Sequence, residues 1–317
     1  MIRKAVYSFC SYPFLSRPGY AGFATFEDFL NAWTLSVNLA RKHFEEVELV
    51  TDDCGKAILV NELKLPFTDV TSNLDSVAQK HIQGWFWTFA KLWAYSIQTE
   101  PFIHIDYDVF LWKKPPPRIL EAPLFGQNTE SDIWKVDMYR MAYQAFCGYL
   151  TVKPDNWYIV HPYIHHNNVA INTGIIGGND ISILNKYACT ALTMLLSSEN
   201  INGLEIIKRI DDYTGGKLAN GCSVALEQYL LSTICKENHK FDDIQYLLDE
   251  ETVFGNNGFP AVANEVCKEV GYTHLISMGP KQNHYTMQRL RKRIQEEYAC
   301  YHDRIRIMVQ KEREICG

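Results

Sequence analysis

The stretch FIHIDYDVF, residues 102–110, sets two carboxylates, Asp106 and Asp108, one residue apart at the end of an apolar run. Ionised carboxylates removed from water are costly unless something compensates them. Two acids at this spacing suit a hard divalent cation. Mg2+ and Mn2+ take oxygen ligands and often bridge to phosphate oxygens. A pair of solvated acids at a strand end is the competing reading, and a D-x-D alone does not separate the two.

The elements around the acids are legible from periodicity. Lys4 to Cys10 reads as a first strand, followed by the Pro/Gly-rich loop SYPFLSRPGYAG. The segment TFEDFLNAWTLSVNLARKHF places Phe26, Phe29, Leu30, Trp33, Val37 and Ala40 on one helical face. EEVELVTDD predicts a strand, WFWTFAKLWAYSIQ a helix and PFIHIDYDVFL the next strand. Strands alternating with helices predict a parallel sheet covered by helices. Ligands gather at the carboxyl ends of such strands, where Ser8, Asp52, Asp53, Asp106 and Asp108 fall.

After the proline stop in WKKPPPRI the pattern loosens. VAINTGIIGGND reads as strand, turn and glycine pair, and ILNKYACTALTMLLSS and SVALEQYLLSTICKE as helices. From Thr286 the tail repeats Met287, Leu290, Ile294, Tyr298, Tyr301, Ile305 and Met308 at spacings of three and four, a narrow apolar stripe. That stripe suits packing back on the rest of the chain, a homodimer, or an anionic surface met by Arg289, Arg291, Lys292 and Arg293. The mixed charge that follows ranks the membrane last. The domain reading is one catalytic-size domain over 1–285 and a C-terminal amphipathic helix over 286–317.

Bulk properties narrow the classes. The 317 residues, 47% of them hydrophobic, supply a core for one large α/β domain with appendages. A net charge of -6 argues against a dedicated nucleic-acid binder. Nine scattered cysteines without a CxxC pair argue against a zinc ribbon or disulfide framework and for free thiols in a reducing compartment. The N-terminal apolar run is too short for a signal peptide, and no stretch approaches a membrane span. A soluble, cytoplasmic protein is the expectation. In HPYIHHNN, His161 and His165 are four apart, but Pro162 disfavours a helix that would aim both at a zinc ion; an acceptor-facing or surface loop fits better. In GWFWTFAKLW, Trp93 reads as core, while Trp85 and Trp87 stay open.

Four segments in order resemble the GT-A fold glycosyltransferases, most closely the glycogenin and galactosyltransferase type. The D-x-D ends a strand after a helix that carries Lys91. INTGIIGGN supplies Asn172, Thr173, Gly174 and Asn179; LEQYLLS supplies Glu227 and Gln228 at the opening of a helix; HLISMGPK supplies His274, Gly279 and Lys281, at slightly altered spacing. The resemblance spans Lys91 to Lys281 and implies a three-layer α/β/α sandwich with a mainly parallel central sheet and a C-terminal helical extension.

It also implies roles. Asp106, Asp108 and His274 would hold Mn2+ or Mg2+, with Asp106 also near the ribose or donor sugar. Lys281 would meet the diphosphate. Asn172, Thr173 and Gly174 would line the sugar pocket, and Glu227 or Gln228 would face the reacting carbon. Tyr7, Ser8 and Asp52 would border nucleobase and ribose, and Lys91 would reach the sugar or a phosphate. Read from the residues alone, His274 equally suits a satisfied core histidine, Lys281 a loop lysine, Glu227 an ordinary helical acid, and Gly174 with the Gly177-Gly178 pair a tight turn.

The implied activity is metal-dependent transfer of a sugar from a nucleotide diphosphate donor, UDP favoured, to a glycan, lipid or protein acceptor, with the likeness leaning towards retention of configuration. The alternative is a non-catalytic sugar-nucleotide or glycan-binding protein on the same fold. A haloacid-dehalogenase arrangement is disfavoured because Phe110 stands where that pattern has Thr or Val. A nucleotidyltransferase is disfavoured because the loop after the first strand lacks a Gly-rich, basic arrangement.

Overall fold

A computed structural model describes residues 1–12, 20–77, 86–130, 136–154, 170–249 and 271–316. The His161, His165 and His166 cluster and Trp85 lie outside the described residues. The fold is α/β, with a mixed, mostly parallel main sheet of seven strands and helices on both sides. The chain forms two compact units, one comprising the described residues of Met1–Ile2, Ser76–His104 and Pro117–Glu250, the other those of Arg3–Asp75, Ile105–Pro116 and Glu251–Gly317.

In the second of these units the parallel strands β1 (Lys4–Phe9), β2 (Glu46–Thr51) and β3 (Asp69–Ser72) lie side by side. Val6, Tyr7, Val47 and Leu49 are buried in the strands. The helix Phe26–Ala40 begins where the Thr25 hydroxyl caps it, accepting from the Asp28 amide at 3.1 Å and donating to the Asp28 carboxylate at 2.7 Å. Glu27 and Asp28 suit the positive end of its dipole.

The sequence predicts one apolar face for this helix, yet it is buried nearly all round, polar Asn31, Thr34 and Ser36 included. The reason is the tail. Helices His284–Glu297 and Ala299–Cys316 both pack against it and bury Met287, Leu290, Ile294, Ile305 and Met308. Arg291 grips the buried Asp28 carboxylate with two bonds of 2.7 Å. The tail is two helices with a break at Tyr298, where the Asn283-capped first helix ends.

A two-stranded antiparallel ribbon, β5 (Val109–Leu111) with β11 (Tyr272–His274), completes this unit. The segment PFIHIDYDVFL was expected to be one strand. It is two, β4 (Phe102–Ile105) and β5, with the acids in the turn between them.

The other unit holds β4, β6 (Leu124–Gly126), β9 (Ile175–Gly178) and β10 (Ile244–Tyr246); β6 pairs antiparallel with β9 and parallel with β10. A short ribbon joins β7 (Thr129–Glu130) to β8 (Ala170–Ile171). Gly177 is required by packing: a Cβ there would stand 2.1 Å from the Phe102 carbonyl oxygen. Helix Phe89–Ser96 packs on helix Ile181–Leu196, whose Asn185 amide donates to the carbonyls of Tyr95, Ser96 and Gln98 and so satisfies the end of its neighbour. Helices Val136–Tyr149 and Ile201–Thr214 also belong to this unit. Among the described residues no helix is long and apolar enough to cross a membrane.

Candidate functional site

The turn Asp106-Tyr107-Asp108 closes through the Val109 amide, which donates to the Asp106 carbonyl at 2.9 Å. Tyr107 anchors it. Its ring stacks on Trp33 with centroids 4.9 Å apart and meets Phe29 edge-on at 5.5 Å. A hydrogen-bond chain braces the next residue: the Tyr7 hydroxyl lies 3.0 Å from Ser36 Oγ, which donates to the Val109 carbonyl at 2.6 Å. Burial above all, with Asp106 adding to it, pushes the Tyr7 phenol far above its ordinary value despite the Ser36 bond. Tyr7 is therefore a neutral donor inside the fold.

The β5–β11 register sets His274 opposite Val109, and the Leu275 amide donates to the Asp108 carbonyl at 3.0 Å. These backbone bonds carry His274 to the acids. Its Nε2 is 3.5 Å from Asp108 Oδ1, and one ligand atom from each of Asp106, Asp108 and His274 lies within 4.8 Å of the others. Asp108 and His274 are buried and Asp106 is half-buried.

Lys281 comes from the one-turn helix Met278–Gln282 and is itself buried. Its Nζ is 2.7 Å from Asp108 Oδ2 and 3.3 Å from the Ala21 carbonyl, and stands 5.4 and 5.8 Å from the ring centres of Phe23 and Tyr107. Burial alone would raise the Asp108 carboxyl, but the Lys281 ammonium and then the His274 imidazole reverse that and hold it well below the usual carboxylate range. Ser277, between His274 and Lys281, adopts φ 65 and ψ -173, a conformation rare outside glycine.

The remaining residues implied for this unit are placed differently. Asp52 spends its carboxylate on structure: Oδ1 accepts from the Gly55 amide at 2.6 Å, capping a short helix, and Oδ2 accepts from the Ser11 amide and hydroxyl at 2.6 and 2.8 Å. Burial and then this carboxylate push the Cys10 thiol up to about 12. Ser8 is half-buried on β1.

The residues implied for the sugar and reacting carbon form a second cluster, in the other unit. Glu227 lies in a π-helical turn, Ala225–Tyr229, inserted between helices Lys217–Val224 and Leu230–Glu237, and not at a helix opening as the sequence suggested. The widened turn leaves carbonyls to satisfy, and the Tyr187 hydroxyl reaches those of Leu226 and Glu227 at 3.1 and 2.7 Å. The Glu227 carboxylate accepts from Lys91 Nζ and from the Thr173 hydroxyl, and Lys91 also donates to the Thr173 carbonyl at 3.3 Å. Gln228 accepts from the Tyr139 hydroxyl at 2.6 Å; Asn172 donates to Glu130 at 2.6 Å and accepts from the Gly174 amide at 2.9 Å. All these groups are buried.

Phe23, Trp33, Ser36 and Tyr107 shape the turn without a sequence signal that marks them for it. Trp33 sits at core spacing, and nothing local distinguishes an aromatic under an acidic turn from an aromatic in a core. Gly22, with φ 95 and the Lys281 stem against it, is the readable trace of that approach: a Cβ would come within 3.1 Å of Lys281 Cδ.

The set of Asp106, Asp108 and His274, offering two carboxylates and an imidazole, fits a divalent cation in donor chemistry. Three donors sharing an ion at about 2.1 Å lie about 3–3.6 Å apart, and the His274–Asp108 pair, at 3.5 Å, is already at such a spacing. The acids follow β4 in this α/β fold. The chain belongs to a family described as a family of unknown function (DUF6734), whose model matches residues 14–308. No curated protein matches the chain. Among solved structures it is similar to the galactosyltransferase LgtC, crystallised with donor and acceptor sugar analogues, at 15% identity over 69% of each chain and a TM-score of 0.34.

Proposed function

We propose that this protein is a metal-dependent glycosyltransferase that moves a sugar from a nucleotide diphosphate donor, UDP favoured, to a glycan, lipid or protein acceptor. The observation that carries the reading is the convergence of Asp106, Asp108 and His274 within 4.8 Å, beside the Lys281 ammonium. Carboxylates, imidazole and ammonium together match a cation bound to a diphosphate.

Asp106, Asp108 and His274 would hold Mn2+ or Mg2+. When bound, such an ion stabilises negative charge developing on a departing diphosphate. Lys281 supplies a second, protein-borne positive charge for the same oxygens. The Tyr7–Ser36–Val109 chain and the Trp33–Tyr107 stack keep the turn from moving as that charge develops. Retention of configuration belongs to this reading, since the Glu227 carboxylate is bound by Lys91 and Thr173 and is poorly placed to serve as a general base.

The pairing of Glu227 with Lys91 and Thr173 favours a second reading, sugar-nucleotide binding without turnover, because a carboxylate so engaged is not free to face a reacting carbon. One assay separates them. The full chain with Mn2+ should release UDP from at least one of UDP-glucose, UDP-galactose and UDP-GlcNAc, and Asp108→Ala should abolish that release. Metal-dependent UDP binding without turnover of any donor, GDP-mannose included, selects the binding reading. The absence of metal-dependent UDP binding sinks both.

A further inference from the structure

Both oxygens of the Asp108 carboxylate already have cationic or polar company. His274 Nε2 lies 3.5 Å from Oδ1 and Lys281 Nζ 2.7 Å from Oδ2. The ammonium is in the position a bound ion's charge would take against Asp108. It is held there by more than the carboxylate. The Ala21 carbonyl accepts from it at 3.3 Å, the faces of Phe23 and Tyr107 flank it, and its stem runs against the bare backbone of Gly22. A divalent ion placed on Asp108 with Lys281 unmoved would sit against a like charge in a buried setting, where screening by water is weak. Lysine differs from a fixed donor in one respect that matters here: its charge rides on a four-carbon stem with freely rotating bonds.

We propose that Lys281 and the divalent cation compete for Asp108, and that a diphosphate resolves the competition by drawing the ammonium onto its own oxygens. This rests on the metal and diphosphate reading above and adds an order to it. The cation alone binds weakly because it must displace Lys281 without offering the ammonium another anion. The diphosphate supplies that anion, so the two ligands bind cooperatively, and each raises the other's affinity by the same factor. In their absence Lys281 keeps the buried carboxylate neutralised, which answers how the acid is tolerated inside the fold.

The test is Mn2+ binding to the full chain, followed by electron paramagnetic resonance of free Mn2+ and by calorimetry, with and without UDP. In the natural sequence UDP should tighten Mn2+ binding at least tenfold. Lys281→Met removes the charge but keeps the stem. It should bind Mn2+ alone at least tenfold more tightly than the natural protein, and UDP should add less than threefold. Lys281→Arg keeps the charge and should leave Mn2+ alone as weakly bound as in the natural sequence, and urea unfolding of Lys281→Met itself guards against a folding defect in that variant. If Lys281→Met binds Mn2+ no better than the natural protein while Asp108→Ala still abolishes binding, competition is wrong and the metal site stands. If no variant binds Mn2+ with or without UDP, the metal reading itself fails and the competition with it.

Discussion

Lys91 with Glu227, in one unit, and Lys281 with Asp108, in the other, are both buried lysine–carboxylate pairs, with side-chain exposures of 8% and 4% against 11% and 7%. Burial hardly distinguishes them; their company does. Around Glu227 the partners serve the pair: Lys91 and the Thr173 hydroxyl on the carboxylate, the Thr173 carbonyl on Lys91, and Tyr187 on the backbone of the turn. Lys91 stands within a regular helix packed on its neighbour. Asp108 instead has a second acid within reach and an imidazole on its other oxygen, and its lysine hangs from a single helical turn. A lysine–carboxylate pair set in a regular helix and shared with a hydroxyl and a carbonyl of one neighbouring residue is held in place. A pair whose carboxylate also faces other metal-type donors is one in which the lysine is replaceable.

The sharpest way to break that contrast is at Glu227. Glu227→Gln preserves shape but leaves the Lys91 charge buried without a counter-charge. It should cost about 3–5 kcal/mol, read from urea unfolding. Replacing both partners, as Lys91→Met with Glu227→Leu, should return most of that loss, because the two effects are coupled through one contact. A loss below about 1 kcal/mol for Glu227→Gln would mean that Lys91 finds water, and the cluster would no longer count as closed.

The contrast also explains what could be read in advance. The helix Phe26–Ala40 and strands β1 and β2 follow from local periodicity, which needs no knowledge of distant chain. The turn at Asp106–Asp108 was hidden inside an apparently continuous strand, because Tyr107 is as strand-compatible as its neighbours and the pairing that interrupts the strand comes from Tyr272–His274. His274 could be attached to the acids only by resemblance, since no local pattern distinguishes a ligand histidine from a core one. The Glu227–Gln228 pair was recognisable as a motif, but its π-helical turn was not. That turn depends on a Tyr187 hydroxyl supplied by another helix. Burial of the whole circumference of Phe26–Ala40 was likewise unreadable from that helix, because the covering elements are the two tail helices.

At Asp108 the expected cost in stability is smaller and the cost in binding larger. Asp108→Asn removes the partner of Lys281, but the lysine's short helix and long stem let it move, and one negative charge is taken from beside Asp106. About 1.5–3 kcal/mol of stability should go, the worth of a hydrogen bond to a charged group, while Mn2+ binding should fall below detection. Urea unfolding and Mn2+ titration on one preparation give both readings. A stability loss equal to that of Glu227→Gln would erase the distinction between the two pairs and make the Asp108 pair a structural one as well.

The smallest effect concerns His104, which tests whether the Lys91 charge is felt beyond its own pair. His104 is buried on β4, its Nδ1 3.5 Å from the Tyr95 hydroxyl and its ring edge-on to Tyr95. Burial first, and the Lys91 charge second, hold its imidazole well below the ordinary value near pH 6.5. Above that pH both folded and unfolded chains carry it neutral, and it contributes nothing to the slope. As pH falls below about 6.5, the unfolded chain takes up a proton that the folded one refuses. Stability then drops by at most about 1.4 kcal/mol per pH unit until the lower folded value is reached. Between pH 6.5 and 5.5 the loss assigned to His104 should be about 1 kcal/mol. It is measured as the difference in pH slope between the natural protein and His104→Gln, which cancels the other titrating groups. Equal slopes in the two proteins would mean that His104 accepts a proton inside the fold. A protonated imidazole there would have to coexist with an unneutralised Lys91 or be relieved by a fully neutralised one. Repeating the slope in Lys91→Met with Glu227→Leu, which removes both charges, then decides between them: an unchanged slope says that Glu227 cancels the lysine completely, and a further change says that the pair leaks charge into its surroundings.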